Sequence, residues 1–392
     1  MLRSLFSGIS GLRSHQQMMD VTGNNIANVN TVGFKSSATI FEDTLSQLLN
    51  AAGAPQPPNG GTNPAQIGLG VKLAAINTNF GQGAAQTTGR STDLMITGDG
   101  FFAVRNGGET LYTRAGSFSF DANGLLVDPQ GAVVQGWTAN SAGKVDTNTT
   151  VGNVQLPVGT LLQPQATTEV TIGGNLPADT TSTSPIVTSI TGYDQQGNKV
   201  VYTTSFAKVS PTSWDVTVTD GATSQTQNVA FAPDGSTPTP PTFLFGTVTI
   251  DLSGVTSYAG GSSVASQKQN GSALGSLQSF TLASDGTLIG IFSNGLKQPL
   301  AQLALANFNN PVGLEKVGNN DYRTTVNSGE PHLGTAGTGG RGTLQAGSLE
   351  MSNVDLGQEF TNLIISERGF QANSKVITAS DEVLQDLVNL KR

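Results

Sequence analysis

The chain of 392 residues contains no cysteine, so it can form neither a disulfide framework nor a thiolate metal site, and it has no catalytic thiol. Charged residues are scarce, at 12% of the chain, and the net charge is -8. No basic cluster is present, which argues against a nucleic-acid partner. No window approaches the roughly 18 continuous apolar residues that span a bilayer, so we expect a soluble chain with no membrane insertion.

Glycine, by contrast, is abundant at 49 residues, and Thr, Ser and Asn are frequent, as is typical of strands joined by tight turns. Between residues 71 and 349, short β-branched runs alternate with turn dipeptides. Trp214, Val216 and Val218 alternate with polar residues, which predicts a strand with one buried face. The clearest hairpin signals are Asn123-Gly124, Asp220-Gly221, Asp285-Gly286 and Asn294-Gly295.

The first thirty residues carry an apolar stripe with alternating steps of three and four, which predicts an amphipathic helix with a heptad seam. Gln16 and Gly23 occupy the slots where the apolar pattern fails. Asn30 and Gly33, which tolerate a left-handed turn, predict where the helix ends. The stripe consists of Leu2, Leu5, Ile9, Leu12, Met19 and Ile26.

The other end of the chain shows a second amphipathic helix. Asp355 followed by Gln358 forms a plausible N-cap pair. Apolar residues then recur at helical spacing and predict a second assembly stripe. Its residues are Phe360, Leu363, Ile364, Phe370, Val376, Ile377, Val383, Leu384, Leu387 and Leu390.

The sequence thus predicts a mixed, mainly β fold with terminal helices that form a coiled-coil-like pair. Both β-domains are expected to be antiparallel and rich in Gly and Thr. The predicted domains are a terminal helical polymerisation domain (1–30 and 355–392), a connector (31–70), an inner β-domain (71–145 and 275–354) and an inserted outer β-domain (146–274).

Two amphipathic helices at opposite ends of a β-rich body suggest a polymer. A single helix of this kind is marginal in water, because its apolar stripe finds too little to pack against. Several copies that bury one another's stripes make the ordered state favourable. The alternative is that each helix docks on its own domain. The long Pro-, Gly- and Asn-rich segment 51–70 favours shared packing between copies.

Residues with the chemistry of a catalytic or metal site are sparse. His15 and His332 are far apart in sequence, and neither lies at a recognisable catalytic spacing. Asp121 begins half of a calcium loop but lacks the later acidic ligands, so a hairpin turn explains it better. Gly98-Asp99-Gly100 has no Lys for a phosphate. We therefore expect no enzyme, cofactor or metal.

Several segments resemble the flagellar rod and hook axial protein family. Residues 24–35 (NNIANVNTVGFK) and 7–12 (SGISGL) are similar to its N-terminal motif, and 347–356 (GSLEMSNVDL) with 370–373 (FQAN) to its C-terminal motif. The inner segments 98–102, 112–116 and 125–137 continue the match. The motif residues are Asn25, Ala27, Asn28, Thr31, Gly33, Phe34, Lys35, Ser352, Asn353, Val354 and Asp355.

The middle of the chain favours the members that form the hook over the shorter rod members. Residues 253–260 (SGVTSYAG), 269–271 (QNG), 292–295 (FSNG) and Tyr193-Asp194 with Gly197 resemble hook segments. One departure is Glu367, where relatives often carry an uncharged Gln. The matched ends also remove another interpretation, that the Arg- and Ser-rich start is a mitochondrial transit peptide.

The resemblance implies a self-assembling subunit of the extracellular hook, a curved, flexible joint that transmits torque to the filament. It implies partners: other copies, a distal rod protein, a hook–filament junction protein, a hook cap and the flagellar type III export apparatus, with no cleaved signal. Two alternatives remain at this point, a distal rod subunit and a secreted β-rich adhesin.

Overall fold

The computed structural model describes residues 2–55, 60–140, 143–156, 159, 161–178, 184–236 and 238–389. Helix α1 (Leu2–Ala27) and helix α2 (Leu356–Asn389) lie at the two ends of the chain, and strands dominate between them. The predicted class, mainly β with terminal helices, is therefore confirmed.

The chain divides into two compact units. Unit 1 comprises residues 1–156, 281–289 and 299–392, and unit 2 comprises residues 157–280 and 290–298. The boundaries that composition suggests, after residues 145 and 274, stay predictions.

The strands before unit 2 are β1 (Ser37–Asp43), β2 (Ser46–Asn50), β3 (Ala65–Gly68), β4 (Val71–Thr78), β5 (Ala85–Thr87), β6 (Leu94–Thr97), β7 (Phe101–Asn106), β8 (Glu109–Thr113), β9 (Ser119–Phe120), β10 (Leu126–Val127), β11 (Val133–Thr138) and β12 (Gly152–Asn153). The next are β13 (Leu161–Leu162), β14 (Glu169–Asn175), β15 (Ile186–Tyr193), β16 (Lys199–Ser210), β17 (Ser213–Thr219), β18 (Ser224–Phe231), β19 (Pro238–Thr239), β20 (Thr242–Phe245), β21 (Val248–Thr256), β22 (Ala265–Gln269) and β23 (Gly275–Leu282). The last are β24 (Thr287–Phe292), β25 (Lys297–Leu303), β26 (Leu305–Asn307), β27 (Glu315–Gly318), β28 (Asp321–Arg323), β29 (His332–Gly334), β30 (Thr343–Ala346) and β31 (Ser348–Glu350), with a short 3-10 helix at Pro311–Gly313.

The segment expected as a connector, residues 31–70, contains strands. β1 pairs with β4 and β2 pairs with β3, both antiparallel, so the chain runs out and back as a two-stranded ribbon. The Pro- and Gly-rich composition of residues 51–64 marks the connection between β2 and β3 and does not extend over the whole segment.

The main sheet of unit 1 contains the strand order β25-β11-β7-β8-β28-β27. β26 pairs with β7, β30 with β6 and β31 with β5, so strands from before and after unit 2 share one structure. Their common core is aromatic. Phe101 packs edge-to-face on Phe308 and Tyr322, and Tyr112 packs edge-to-face on Phe308.

Unit 2 has two sheets, β20-β21-β14-β22 and β15-β16-β17-β18-β19, whose buried residues form one apolar cluster. The predicted alternation in β17 is confirmed, since Trp214, Val216 and Val218 are buried and their neighbours are half-buried. The expectation of purely antiparallel sheets is wrong for β14 and β21, which pair in parallel. A parallel pair requires a long crossover, and the chain from β15 to β20 supplies it.

The predicted helix limits and turns can be compared residue by residue. α1 ends at Ala27, and Gly33 has a φ of 70°, as a left-handed turn requires, whereas Asn30 does not adopt a positive φ. At α2, Asp355 Oδ1 accepts from Gly357 N at 2.8 Å, which confirms the cap, while Gln358 donates to Asn362 Oδ1 instead. The second residue of each predicted turn has a positive φ: Gly124, Gly221, Gly286 and Gly295.

Candidate self-assembly site

The two helices pack antiparallel on each other through small and polar side chains. The Ser4 and Ser380 hydroxyl oxygens lie 3.3 Å apart near the start of α1. Farther along, a Cβ added to Gly8 would lie 3.2 Å from Ile377 Cγ1, so the two helix backbones approach closely at this glycine. On the α1 side the contact is therefore formed by small residues, and Ile377 of α2 packs against Gly8.

Two further glycines show the same close approach. A Cβ at Gly11 would lie 2.6 Å from Asn373 Oδ1, and one at Gly369 would overlap the His15 ring. The His15 ring also lies near Phe41 of β1, with centroids 6.4 Å apart. His15 is thus a packing residue of the helix pair, as expected for a histidine without catalytic partners.

Near the end of α1 and the start of α2, Asn25 holds the two helices together and is fully buried. Its amide nitrogen donates to Glu359 Oε1 at 3.0 Å and to Ser37 O at 2.8 Å, and its amide oxygen accepts from Ser37 N at 3.0 Å. One side chain thereby joins α1, β1 and α2. Because every polar group it buries has a partner, the amide carries no unpaired desolvation cost.

The α1 positions that face α2 form their own heptad stripe. The residues in contact with α2 are Ser4, Gly8, Gly11, His15 and Asn25, and with Met18 and Thr22 they form a series with alternating steps of four and three. The predicted apolar stripe runs one residue later at each step, which is about 100° farther around the helix. On the α1 side the intrachain pair is therefore not made by the predicted apolar stripe, whereas Ile377 of the α2 stripe packs against Gly8. A second heptad stripe of Ser, Gly and Asn is the sequence signal that could have indicated this.

The predicted stripe residues are only partly covered within the chain. On α1, Leu5, Leu12, Met19 and Ile26 are half-buried, and Ile9 is 39% exposed. On α2, Leu363, Ile377 and Leu384 are half-buried. The exposed members of the α2 stripe are Phe360, Ile364, Phe370, Val376 and Val383. The side chains of Leu2, Leu387 and Leu390 lie outside the described part of the chain.

The motif after α1 folds back onto the C-terminal motif. Gly33 N donates to Glu350 O at 2.8 Å, and a Cβ on Gly33 would lie 2.6 Å from Ala115 N. Ser36 N donates to Asn353 Oδ1 at 2.8 Å, while the Asn353 amide nitrogen donates to Asn79 O and Gly81 O. Two segments from opposite ends of the chain are thus joined.

The other motif residues have local roles. Asn28 donates to Asn24 O at 2.9 Å, and Thr31 donates to Asn28 Oδ1 at 3.1 Å, which orders the turn after α1. Phe34 is buried with Lys316 Nζ over its ring. The remaining motif residues, Ala27, Ser352 and Val354, are exposed or half-buried.

A buried ionic cluster beside these segments was not predicted. Lys35 Nζ lies 2.6 Å from Glu350 Oε1, and both side chains have no exposed surface. Arg114 Nη1 lies 3.5 Å from Glu350 Oε2 and donates to Gly98 O at 2.9 Å. Gly83 N also donates to Glu350 Oε1, at 2.8 Å. All three charges stand in motif segments that are otherwise nearly uncharged, which is the signal that sequence reasoning missed.

Burial lowers the pKa of Lys35, and the hydrogen bond and charge of Glu350 offset part of this effect. Burial also lowers the pKa of Arg114, again offset by Glu350. Removing one partner of such a cluster would leave an uncompensated buried charge. The cluster thus links the N-terminal motif, the C-terminal motif and the main sheet of unit 1.

Within the described residues, no group of three or more His, Cys, Asp and Glu side chains could hold a metal ion. Asp121 Oδ1 accepts from Asn123 N and Leu125 N and so closes its own hairpin turn. His332 is exposed in β29. Neither described helix is long and apolar enough to cross a membrane.

Family models match four parts of the chain. A model described as "Flagella basal body rod protein" matches residues 5–35, and "Flagellar hook protein FlgE/F/G D1 domain" matches residues 95–184. "Flagellar basal body protein FlaE D2 domain" matches residues 161–246. "Flagellar basal body rod FlgEFG protein C-terminal" matches residues 345–390.

Curated relatives align over the whole chain. The flagellar hook protein FlgE of Borreliella burgdorferi is 37% identical over 442 aligned positions, covering 100% of both chains. The flagellar basal-body rod protein FlgG of Bacillus subtilis is 34% identical, also covering 100% of both. Among solved structures, the Helicobacter pylori flagellar hook protein FlgE2 has a similar fold. It has a TM-score of 0.54 at 16% identity and covers 68% of this chain and 100% of that one.

Proposed function

Since this chain belongs to the family of flagellar hook and basal-body rod proteins, we propose that it is a structural subunit that polymerises into the flagellar hook. The hook is a curved, hollow, flexible joint that transmits torque from the rod to the filament. The observation that carries the proposal is the composition of the helix seam. The α1 residues that contact α2 are small or polar, while Ile9, Ile364 and Val383 stay exposed.

This arrangement supports polymerisation because exposed apolar side chains on a helix gain free energy when another copy covers them. The terminal helical polymerisation domain would line the inner channel of the tube, with the inner and outer β-domains outside it. The predicted stripe residues of both helices are proposed as the contacts between copies. The motif residues, with Lys35 and Asn353, would hold each helix pair on its own unit 1.

Bending requires outer domains that slide against one another. The outer segment is rich in Thr, Ser and Asn and poor in charge, and weak polar contacts cost little to break and remake. We propose these surfaces as the sliding contacts.

The proposed partners are other copies of the chain, a distal rod protein below, a hook–filament junction protein above and a hook cap during growth. Export through the flagellar apparatus would occur without a cleaved signal, with the hook outside the cell. A chain without cysteine supports this route, because it can be threaded unfolded without forming incorrect disulfides.

A second candidate is a distal rod subunit, favoured by the 34% identity to a basal-body rod protein. The two can be separated by electron microscopy of polymer grown from purified full-length chain. Curved tubes that change curvature with conditions are expected from a hook subunit. Straight, rigid tubes would identify a rod subunit, and a chain that stays monomeric at all concentrations would contradict both.

A further inference from the structure

Unit 1 is completed by strands that follow unit 2 in the sequence. β5 pairs with β31 and β6 pairs with β30, and within the residues that the structure describes neither β5 nor β6 pairs with another strand. β7 pairs with β26, and β8 pairs with β28. The strands between Ala85 and Thr113 therefore complete their pairing only when the C-terminal part of the chain is in place.

One acidic side chain compensates two buried cations at this junction. Glu350 is the ion-pair partner of both Lys35 and Arg114, and all three side chains are at most 2% exposed. The two contacts span 315 and 236 residues of sequence. Asp99, whose charge also acts on Arg114, is exposed. Without Glu350, closing this part of unit 1 would bury two charges with no buried counterion.

The core of unit 2, by contrast, is formed by one continuous stretch of chain. Its two sheets, β20-β21-β14-β22 and β15-β16-β17-β18-β19, lie between Glu169 and Gln269. The buried side chains of its core lie between Val170 and Val255. All of these residues precede Glu350 and the strands that complete unit 1. A chain that emerges from its N-terminus first can therefore close the core of unit 2 before that of unit 1.

We propose that Glu350 makes the closing of unit 1 conditional on the arrival of the C-terminal segment. In an incomplete chain the cations Lys35 and Arg114 keep this part of unit 1 open. Glu350 compensates both when β31 pairs with β5. Its backbone oxygen also accepts from Gly33 N at 2.8 Å, so the same residue orders the turn that follows α1.

The consequence for assembly rests on the proposed function. A copy that lacks the C-terminal segment orders neither the turn after α1 nor the strands of unit 1 that pair with β30 and β31. Such a copy is therefore excluded from the polymer, while unit 2 is folded in complete and incomplete copies alike.

The first test follows the order of folding in the full chain. Unfolded protein is diluted from urea at a concentration too low for tubes, and pulses of hydrogen exchange are applied at increasing times. Amides of β16 and β17 should gain protection first, because their contacts are closer in sequence. Amides of β6, β7 and β8 should gain protection later, together with those of β30 and β31. Protection of β6, β7 and β8 before β30 and β31 would overturn the inference.

The second test removes the charge of Glu350 and keeps the shape of its side chain. Glu350→Gln leaves Lys35 and Arg114 buried without an anion, so the slowest amides of β7 and β8 should exchange at least about 100-fold faster. Those of β16 and β17 should be unchanged. Glu109→Gln is the matched control and should have a far smaller effect, because it breaks an exposed ion pair with Arg323 in the same unit. Equal effects of the two substitutions would overturn the inference.

The third test separates the charge of Glu350 from its hydrogen bonds. In a chain with Lys35→Met and Arg114→Met the buried cations are gone, and Glu350 is itself the unpaired charge. Glu350→Gln should therefore restore protection to β7 and β8 in that chain instead of removing it. Loss of protection in both backgrounds would show that Glu350 acts through its hydrogen bond with Gly83 N, and would overturn the inference.

All three tests use unassembled chains, so they are independent of tube formation. If they give the expected results and the wild-type chain forms no tubes, it is the proposed function that fails, and the role of Glu350 in closing unit 1 stands.

Discussion

Trp214 and Ile364 show how differently two regions of this chain treat a large apolar side chain. Trp214, in unit 2, is 2% exposed and packs in a cluster that draws on both sheets of that unit. Ile364, on α2, is 57% exposed. The buried positions of the helix pair are instead occupied by Gly, Ser, Thr, Asn and Glu.

Of the two regions, unit 2 is the one whose apolar core is formed within a single copy. Unit 2 has an apolar core of its own, although Val201 and Leu244 are exposed, and it therefore gains much of its hydrophobic stabilisation within one chain. The helix pair holds its register with small residues and hydrogen bonds but leaves apolar surface uncovered. Its stability should therefore depend on other copies. Four pairs of substitutions probe this difference, and their expected effects decrease from the first pair to the last.

The largest effect is expected for Ile364→Asp. The charge would be buried without a partner when a neighbouring copy covers α2, so tubes should be lost or their critical concentration raised by more than about 100-fold. Sedimentation of assembled material measures this. Ser374→Asp adds the same charge at an exposed polar site of the same helix and serves as the control. Equal assembly of both variants would contradict the account.

The second effect concerns the buried cluster. Lys35→Met leaves Glu350 without its nearest cation and should lower the free energy of unfolding of unit 1 by about 3–5 kcal/mol. The chain has two Trp residues, so in a Trp214→Phe background Trp137 of β11 reports unit 1 during urea titration. Lys72→Met removes the exposed pair with Glu42 and should change the free energy of unfolding far less, because solvent screens an exposed ion pair. Similar losses of unfolding free energy in Lys35→Met and Lys72→Met would show that the buried cluster stabilises unit 1 no more than an exposed ion pair does.

The third effect depends on pH. Burial, with a smaller contribution from the Asp128 charge, raises the pKa of Asp321 from 3.8 to about 6, and a hydrogen bond from Thr113 offsets part of this. Folded Asp321 therefore holds a proton that the unfolded chain has released, and unit 1 should lose stability as pH rises through this window. Asp321→Asn should remove that pH dependence. At pH values above this window, it should raise the free energy of unfolding of unit 1 by up to about 3 kcal/mol.

Urea titrations with the Trp137 reporter on either side of this pH window measure the Asp321 effect. Asp220 is a control of opposite sign, because backbone hydrogen bonds from Thr223 and Ala222 lower its pKa. Asp220→Asn should therefore lower the stability of its hairpin at pH values above the pKa range of Asp and leave it unchanged at lower pH. An unchanged pH profile in Asp321→Asn would show that another group is responsible.

The smallest effects come from one substitution at two glycines. Gly33→Ala forces a side chain into a positive φ, which costs about 1–2 kcal/mol, and places Cβ 2.6 Å from Ala115 N. Gly23→Ala lies inside α1 with no atom within 4 Å of the new Cβ, so it should stabilise the helix by about 0.5–1 kcal/mol. The melting temperatures of the two variants should shift in opposite directions. A shift in the same direction would show that Gly33 is not required for its positive φ and close packing.

Local features of the fold could be predicted from the sequence because short-range chemistry sets them. Asp355 caps α2, β17 alternates as its residues predict, and the four glycine turns have the expected φ. Pairings between distant segments could not be predicted. The parallel partner of β14 is β21, and nothing in either strand specifies which segment lies beside it.

The candidate site shows the same limit. Periodicity predicts the apolar stripes but not the residues that contact them. An apolar stripe indicates only that some surface covers it, not which one. The small-residue seam carries no apolar signal, and Lys35 and Glu350 are separated by 315 residues. The sequence predicts a connector where β2 and β3 form a ribbon, because the proline and glycine residues between the two strands obscure their strand pattern.

Hydrogen exchange of the full chain, free and in assembled tubes, tests the central claim most directly. Amides of β16 and β17 in unit 2 should be equally protected in both states, because their core is complete in one copy. Amides of α1 and α2 should exchange quickly in the free chain and gain at least about 100-fold protection in tubes, as coupling to assembly requires. Helices as strongly protected in the free chain as in tubes would contradict the account.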